Sequence, residues 1–233
     1  MGIDIGPIEA TDGLVFHLDA GNTRSYAGSG TSISGLSGLG NTCILINGPT
    51  FSSLNGGQII FDGTNDYIKL PANNAYNLNN GSFTIEVFFS VTNPIIGERM
   101  ILEHNNWPAN GLYQLTFADN DLFRVNFPEA FTPGRQELDY LETPLALNKW
   151  MHLIGQFDTN TNTFRIYING VLKAQRTDVT AELGSSVSDI FIFCRNGTGL
   201  FLAAKLGHIK HYNRALSNTE IFQNYNATKG RYR

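Results

Sequence analysis

The clearest alternation of hydrophobic and polar residues in the chain lies between residues 148 and 174. The run FRIYI at 164–168 places Phe and Ile at every second position, which is typical of a strand with one buried face. The apolar stretch 150–157 predicts the strand before it, with polar turn residues between the two. Asn169-Gly170 then predicts a hairpin, because both central residues of a type I′ turn need positive φ. We therefore predict a three-stranded meander ending with a strand over 171–174.

Similar patterns predict strands through the rest of the chain, and they are separated by polar or glycine-rich turns. The predicted strands cover 14–19, 59–61, 67–70, 82–89, 112–117, 122–127, 190–194 and 206–212. Within 82–89, Phe83, Ile85 and Val87 share a face, and the adjacent Phe88 and Phe89 are expected to break the alternation. The strands 112–117 and 122–127 are expected to form a hairpin.

Two segments are expected to differ from this pattern. The Gly- and Ser-rich stretch 25–40 predicts a long surface loop. Ser217 and Glu220 have the spacing of a capping box, which predicts a short helix from about Asn218 to Tyr225.

Composition supports a single all-β domain. The 233 residues include 24 Gly, 16 Phe and 9 Tyr, and only 15% of them are charged. Many glycine-marked turns between aromatic and β-branched runs are typical of a sandwich or barrel, and β-sandwiches of this length are often one domain. We expect about 12–14 strands on ordinary strand lengths and spacings. Residues 1–12 mix polar and apolar residues without a period and predict an N-terminal arm, followed by one domain over 13–233.

Charge and hydropathy disfavour several partners. The net charge is −4 and no Lys/Arg cluster is present, which disfavours a nucleic-acid groove or an anionic membrane surface. No apolar run reaches the roughly 20 residues of a membrane helix, so membrane insertion is not expected. The first residues lack the basic start and apolar core of a signal peptide, so either a leader was trimmed or the usual secretory route is not used.

Cys43 and Cys194 are expected to be two unlinked buried thiols, and a disulfide would require their Cα atoms within roughly 7 Å.

Several motifs resemble one known superfamily. The Trp150-x-His152 pair, the following Phe-Asp and the Tyr-x-Asn-Gly turn at 167–170 resemble the laminin-G/pentraxin-like branch of the concanavalin A-like sandwiches. The ordered series GLVFHLDAGNTRSYAGSG, SGLSGLGNTCILINGPTF and GGQIIFDGTNDYIKL resembles modules of tailed-phage virion proteins and of secreted bacterial lectin-like proteins. GHIKHYNRALS at 207–217 resembles the family's closing motif. The resemblance implies a jelly-roll sandwich of two antiparallel sheets, and a binding module more often than an enzyme.

Glu137, Asp139 and Glu142 form the one candidate catalytic set. The run ELDYLE matches the E-x-D-x-x-E strand motif of retaining glycosidases on the same sandwich architecture. That chemistry needs two carboxyls roughly 5–5.5 Å apart. Glu137 and Glu142 would face opposite ways in a regular strand, and a bulge between Asp139 and Glu142 would bring them to one face. Nearby prolines favour a solvated loop or an edge strand instead.

Ca²⁺ is the one cofactor that the resemblance suggests. Many members of the superfamily bind Ca²⁺ through oxygen ligands on loops, and Ca²⁺ takes 6–8 such ligands. The candidate donors in this chain are Asp19, with Asn22 beyond it, and Asp62, Asn65 and Asp66. The same residue types are also ordinary turn formers.

Trp107 suggests a recognition site. It lies in the polar stretch EHNNWPANG at 103–111, between two predicted strands. A loop-borne Trp beside His104 and Asn105 would offer an apolar platform with a hydrogen-bonding rim, as in lectin sites, or it could fold back over the end of the sandwich. Trp150 lies in a strand context and is expected to pack in or near the core. His208 and His211 are expected to point to opposite faces of their strand, without the spacing of a zinc site.

These observations favour a non-catalytic phage virion surface protein, a capsid decoration or a tail or fibre adhesion module. Such a protein folds in the host cytosol and is exposed later, which fits a lectin-like fold without a visible leader. The loops would bind a glycan or a neighbouring virion protein, and the arm 1–12 would tether the domain to the particle. A symmetric homo-oligomer, such as a trimer, would also be consistent with this role. The alternatives are a glycoside hydrolase using Glu137 and Glu142, and a secreted bacterial lectin-like adhesin outside the cell.

Overall fold

The predicted sandwich of two antiparallel sheets is confirmed. The computed structural model describes residues 8–76, 81–106, 110–127, 136–179 and 188–232; the side chains of 105, 106 and 110–112 are not part of that description. The described residues form sixteen strands in two sheets and one α-helix. The expected number of about 12–14 strands was too low, because very short strands at 32–34 and 50–52 carry too few residues to show an alternation.

The first sheet has β7 and β16 at its centre. Its order is β14-β13-β12-β7-β16-β5-β4, and β1 pairs with β16 beyond the end of β5. Its strands are β1 (Leu14–Asp19), β4 (Thr50–Ser52), β5 (Gln58–Asp62), β7 (Phe83–Val91), β12 (Met151–Asp158), β13 (Thr163–Ile168), β14 (Val171–Arg176) and β16 (Ala203–Tyr212).

The second sheet runs from the edge strand β11 to the short strand β2, in the order β11-β10-β9-β8-β15-β6-β3-β2. Its strands are β2 (Ser32–Ser34), β3 (Thr42–Ile46), β6 (Tyr67–Leu70), β8 (Arg99–Asn106), β9 (Asn110–Asp119), β10 (Leu122–Phe127), β11 (Gln136–Leu141) and β15 (Ile190–Ile192).

The predicted three-stranded meander, its Asn-Gly turn and the predicted hairpin are confirmed. Strands β12, β13 and β14 form the expected meander. Asn169 and Gly170 have φ of 51° and 78°, the left-handed values that a type I′ turn requires. Strands β9 and β10 form the expected hairpin. Cys43 and Cys194 are buried and unlinked.

Strand β7 corrects the sequence analysis on one point. Phe83, Ile85, Val87 and Phe89 all belong to the core between the sheets, so the alternation continues through Phe89. Phe88 lies on the opposite face, where its ring stacks on Tyr232 with centroids 4.3 Å apart. The expected break at Phe88 was wrong because this strand is buried on both faces, and both faces therefore carry apolar residues.

Helix α1 (Asn218–Thr228) covers the outer face of the first sheet. The predicted capping box is confirmed: the Ser217 side chain accepts a hydrogen bond from the Glu220 N–H, and the Glu220 carboxylate accepts one from the Ser217 N–H. Five buried side chains form a second, smaller core beneath the helix. These are Ile154, Tyr167, Tyr212, Leu216 and Ile221. No helix in the described residues is long and apolar enough to cross a membrane.

Residues 8–12 are part of the domain. The Ala10 N–H donates to Asn224 Oδ1 of the helix at 2.8 Å, and the Tyr212 hydroxyl donates to the Ala10 carbonyl at 3.0 Å. Lys210 pairs with Glu9 at 2.7 Å. The predicted arm over 1–12 was therefore wrong for 8–12, because their backbone groups find partners that the local sequence does not reveal. Residues 1–7 lie outside the described part.

Candidate functional site

The candidate catalytic carboxylates are not arranged for glycoside cleavage. Arg124 of β10 binds Asp139 through Nε and Nη2, both at 2.6 Å, and its Nε lies 3.3 Å from Glu137 Oε2. The pairing of β10 with β11 is continuous from Gln136 to Leu141, so the expected bulge is absent there. Glu142 follows the end of β11 and its N–H donates to the Asp121 carbonyl. Five residues of extended chain, roughly 17 Å, separate Glu137 and Glu142 along the backbone.

This geometry corrects the glycosidase alternative. Asp139 and Glu137 share a face and a common arginine, as residues two apart on a strand should. Glu142 is an odd number of residues from Glu137, so the alternation of the strand assigns it to the opposite face, and it lies beyond the end of β11. The retaining mechanism requires carboxyls about 5–5.5 Å apart with a sugar between them. Instead, the E-x-D half of the motif forms an ion pair on an edge strand, which the nearby prolines already favoured.

A row of polar side chains that the sequence analysis missed crosses the outer face of the second sheet. The register places Glu103 of β8 beside Gln114 of β9, Gln114 beside Asn126 of β10, and Asn126 beside Glu137. Gln114 Nε2 donates to Glu103 Oε1 at 2.9 Å, and Asn126 Nδ2 donates to Gln114 Oε1 at 3.3 Å. Glu103, Gln114 and Asn126 are all buried.

The connection after β15 closes this row at one end. The Asn196 N–H donates to Glu103 Oε2 at 2.7 Å, and Arg195 Nε lies 3.6 Å from Glu103 Oε1. A buried carboxylate needs such charge-assisted donors to offset its lost hydration. The row therefore stiffens the sheet, and its carboxylate has protein partners in place of a substrate.

Of the three predicted recognition residues, only His104 has a side chain in the described part of the structure, and that side chain is not on the surface. His104 is on β8 and is buried inside the sandwich, where its ring lies 5.0 Å from that of Tyr113. Burial lowers the pKa of His104 to about 4, so it is neutral at pH 7. Its assignment to a surface loop was wrong because β8 continues to Asn106, further than the polar residues suggested. The Asn105 side chain and all of Trp107 lie outside the described residues.

Asp19 is not a Ca²⁺ ligand in this arrangement. Its Oδ1 and Oδ2 each lie 2.7 Å from a guanidinium nitrogen of Arg231, and Oδ1 also accepts the Gly21 N–H at 2.9 Å. Burial raises the pKa of the Asp19 carboxyl, but these bonds outweigh it and hold the pKa below 3.8. Both oxygens that would face a cation face Arg231 instead.

The other predicted donors form a turn far from Asp19. Asp62 Oδ1 accepts the Thr64 N–H at 2.7 Å and the Asn65 N–H at 3.3 Å, while Asp66 Oδ2 accepts the Asp62 N–H at 3.2 Å. Asp62 pairs with Ala203 of β16 and Asp19 with His208, about 17 Å apart along that strand. No group of three or more His, Cys, Asp or Glu side chains in the described residues could hold a metal ion. The residues present therefore do not fit the suggested Ca²⁺ site.

A buried charge cluster lies under helix α1 and was also missed. Glu86 of β7 accepts hydrogen bonds from Lys210 Nζ at 2.8 Å and from Asn224 Nδ2 at 2.6 Å. The Nε2 atoms of His152 and His208 each lie 3.4 Å from Glu86 Oε1. Burial raises the pKa of Glu86, but Lys210 and the two imidazoles outweigh it and hold the pKa well below 4.5. Burial, with Lys210 nearby, lowers the pKa of His208 to about 4.

Strand β16, which carries His208 and Lys210 of this cluster, is buried on both faces. His208 faces Glu86 on the outer side, and His211 lies against the Tyr113 hydroxyl in the main core at 3.1 Å. The expectation that these histidines point to opposite faces is confirmed. Trp150 is half-buried and packs on Tyr232 with centroids 4.6 Å apart, on the outer side of the first sheet with Phe88 and not in the core between the sheets. The cluster links helix α1 and residues 8–12 to the sheet through Asn224 and Glu9.

The fold and these residues define a lectin-like β-sandwich, and comparison with known families agrees. The chain belongs to the concanavalin A-like lectin/glucanases superfamily: its laminin-G-type family model matches residues 62–222. The predicted resemblance to this superfamily is thereby confirmed. No curated protein matches the chain.

Solved structures with the same fold include bacterial toxin binding domains. The Botulinum Neurotoxin Type G Receptor Binding Domain is 16% identical with a TM-score of 0.68, and the match covers 92% of this chain and 51% of that one. The binding domain of Paraclostridial Mosquitocidal Protein 1 is 18% identical with a TM-score of 0.73, covering 92% and 52%. The binding domain of Botulinum Neurotoxin DC, solved in complex with SialylT, is 11% identical with a TM-score of 0.73, covering 94% and 52%. The chain thus spans about half the length of these structures, and at these identities the likeness concerns the fold.

Proposed function

We propose that the protein is a non-catalytic binding module on the surface of a tailed-phage particle, where it contacts a cell-surface glycan or a neighbouring virion protein. The observation that carries this proposal is the arrangement of three carboxylates, those of Glu137, Asp139 and Glu142, in a lectin-like sandwich. Arg124 holds Glu137 and Asp139 together, and Glu142 lies on the other parity beyond the strand end. Recognition needs no pair of opposed carboxyls, whereas glycoside cleavage does.

A glycan is the favoured ligand on the cell. The superfamily includes lectins, and one domain of the same fold was solved in complex with SialylT. Both points are analogies of fold, and they support the ligand class without giving a binding site. The virion location rests on the resemblance between the ordered sequence motifs and modules of tailed-phage virion proteins.

Attachment to the particle is assigned to the N-terminal end of the chain. Residues 8–12 bind β16 through Glu9 and helix α1 through Ala10, and the Asp12 carbonyl accepts a hydrogen bond from Arg214 in the connection between them. The tether to another virion protein, as we propose it, is therefore residues 1–7, with residues 8–12 as its anchor on the domain.

Purified phage particles test this function directly. We expect the protein in particles by mass spectrometry and accessible to an antibody on intact particles. Deletion of residues 1–7 should leave a folded domain, judged by circular dichroism, that no longer enters particles. Glu137→Gln should leave host adsorption unchanged. Absence of the protein from particles, or polysaccharide cleavage that Glu137→Gln abolishes, would overturn the proposal.

A further inference from the structure

An open polar groove lies on the outer side of the first sheet, where β13 and β14 meet the start of helix α1. Its volume is about 550 Å³, which is within the size range of small-ligand sites, about 300–1,000 Å³. Arg165 and Tyr167 of β13 and Leu172 and Gln175 of β14 line the sheet side. Residues 214–218 line the opposite side, and none of the candidate site residues considered above lies in this groove.

The side formed by residues 214–218 is held rigidly. The Thr84 hydroxyl donates to the Arg214 carbonyl at 2.8 Å and accepts the Leu216 N–H at 3.1 Å. The buried Gln156 donates through Nε2 to the Leu216 carbonyl at 2.9 Å, and its Oε1 accepts from Arg165 Nη1 at 3.2 Å. One buried amide therefore connects both sides of the groove. A preformed groove loses little conformational entropy when a ligand binds.

The charges lining the groove are balanced. Arg214 Nη2 lies 2.5 Å from Glu220 Oε1, and Arg165 Nη1 lies 3.3 Å from Asp158 Oδ2. Two cations and two carboxylates cancel, and each is already paired within the protein. The hydrogen bond from Arg214 lowers the pKa of Glu220 to about 2, so this pair keeps its charges at neutral and mildly acidic pH. An ionic ligand would have to compete with these partners.

The remaining lining groups suit a ligand with hydroxyl groups and no charge. Gln175, Asn160 and Asn218 are exposed amides, which both donate and accept hydrogen bonds. The Tyr167 hydroxyl donates to Asn218 Oδ1 at 2.8 Å, which fixes the orientation of that amide. Leu172 adds exposed apolar surface beside them. A sugar ring presents the same combination, with hydroxyl groups at its rim and C–H groups on its faces.

We infer that this groove binds the uncharged sugar units of an oligosaccharide, through the amides of Gln175, Asn160 and Asn218 above Leu172. The inference rests on the proposed function, since it gives a location and a chemical class to the glycan proposed there. It also excludes a charged group, such as a carboxylate or phosphate, as the main determinant of binding in this groove.

Calorimetry and NMR on the full chain test the inference. The probes are short neutral oligosaccharides of glucose, galactose, mannose and rhamnose, with oligogalacturonate as the acidic comparison. We expect binding of at least one neutral probe, with amide shift changes at Gln175 and Asn160. Gln175→Ala combined with Asn218→Ala should weaken binding at least about tenfold, the loss of 1.4 kcal/mol expected when one or two hydrogen bonds disappear. Lys173→Ala is the matched control, because Lys173 is on the same strand but lies over Tyr140, outside the groove.

The possible results test sugar binding in the groove separately from the proposed function on the phage particle. Gln175 is exposed, so Gln175→Ala alone remains informative if Asn218→Ala disturbs the start of the helix; melting curves identify that case. Unchanged affinity in the groove variants would overturn the groove and leave the proposed function standing. Binding of oligogalacturonate alone, or of no probe at all, would also overturn the groove, while particle mass spectrometry judges the function independently.

Discussion

Replacing Lys210 with Met tests the buried charge cluster most sharply. Lys210 and Glu86 are only 1% and 0% exposed, and their charged atoms are 2.8 Å apart. The substitution keeps much of the aliphatic volume but leaves the buried Glu86 carboxylate without its lysine partner. Breaking a buried ion pair from one side costs about 3–5 kcal/mol. We expect urea unfolding at pH 7 to show a loss of that size.

The double variant separates the charge from the packing. Glu86→Gln combined with Lys210→Met removes both charges, so much of the stability should return, with a coupling energy of about 2–3 kcal/mol. Lys205→Met on the same strand is the control, because Lys205 is only half-buried and should change stability by less than about 0.5 kcal/mol.

The deficit of Lys210→Met should also depend on pH. Lys210 is the strongest of the groups that hold the pKa of Glu86 down. Without it the buried carboxyl has a raised pKa, and protonation removes the unpaired charge. The gap between variant and wild type should therefore be larger at pH 7 than at pH 5. A loss below about 1 kcal/mol at pH 7, or a gap that does not shrink with acid, would refute this account of the cluster.

Three further predictions concern stability and ligation. Burial lowers the pKa of His208 from 6.5 to about 4, as it does for His17 and His104, so the neutral imidazoles stabilise the fold above pH 6.5. Urea unfolding should show a loss of about 3 kcal/mol or more as the pH falls from 6.5 toward 4, and flat stability from pH 7 to 4 would contradict this. Ser217→Ala should cost about 1 kcal/mol, because it removes the N-cap of α1, and Ser53→Ala, at a position without a side-chain cap, is its control in thermal melts. Millimolar Ca²⁺ should leave the melting temperature unchanged, because Arg231 occupies both oxygens of Asp19; a rise that Asp62→Ala abolishes would refute this.

Turns and helix ends could be predicted from the sequence because they depend on residues close together in the chain. The φ angles at Asn169 and Gly170 and the capping box at Ser217 follow from interactions within a few residues, so the sequence states them directly. The arrangement of the sandwich came from alternation together with family resemblance. These features fix the two sheets, but they do not state what covers the outer faces.

Long-range packing explains what could not be predicted. Phe88 and Glu86 are on the outer face of β7, and their partners there include Tyr232 and Asn224, more than a hundred residues later in the chain. A bulge shifts the register of β9 against β10, so Gln114 faces Asn126, whereas simple counting from the turn predicts a neighbour one residue away. His104 was misplaced because polar residues at a strand end resemble a loop.

A ligand binds more readily to polar side chains that face solvent than to buried ones that are already hydrogen-bonded within the protein. Glu103 and Glu86 already accept hydrogen bonds from buried protein groups, and a ligand there would leave those groups unpaired at about 1–3 kcal/mol each. Gln175 and Asn160 face solvent, so a hydroxyl group that binds them replaces water at small cost. Polar residues alone would point to the second sheet, where the carboxylate motif lies. Once hydrogen-bond partners are counted, the groove beside helix α1 is the better binding surface.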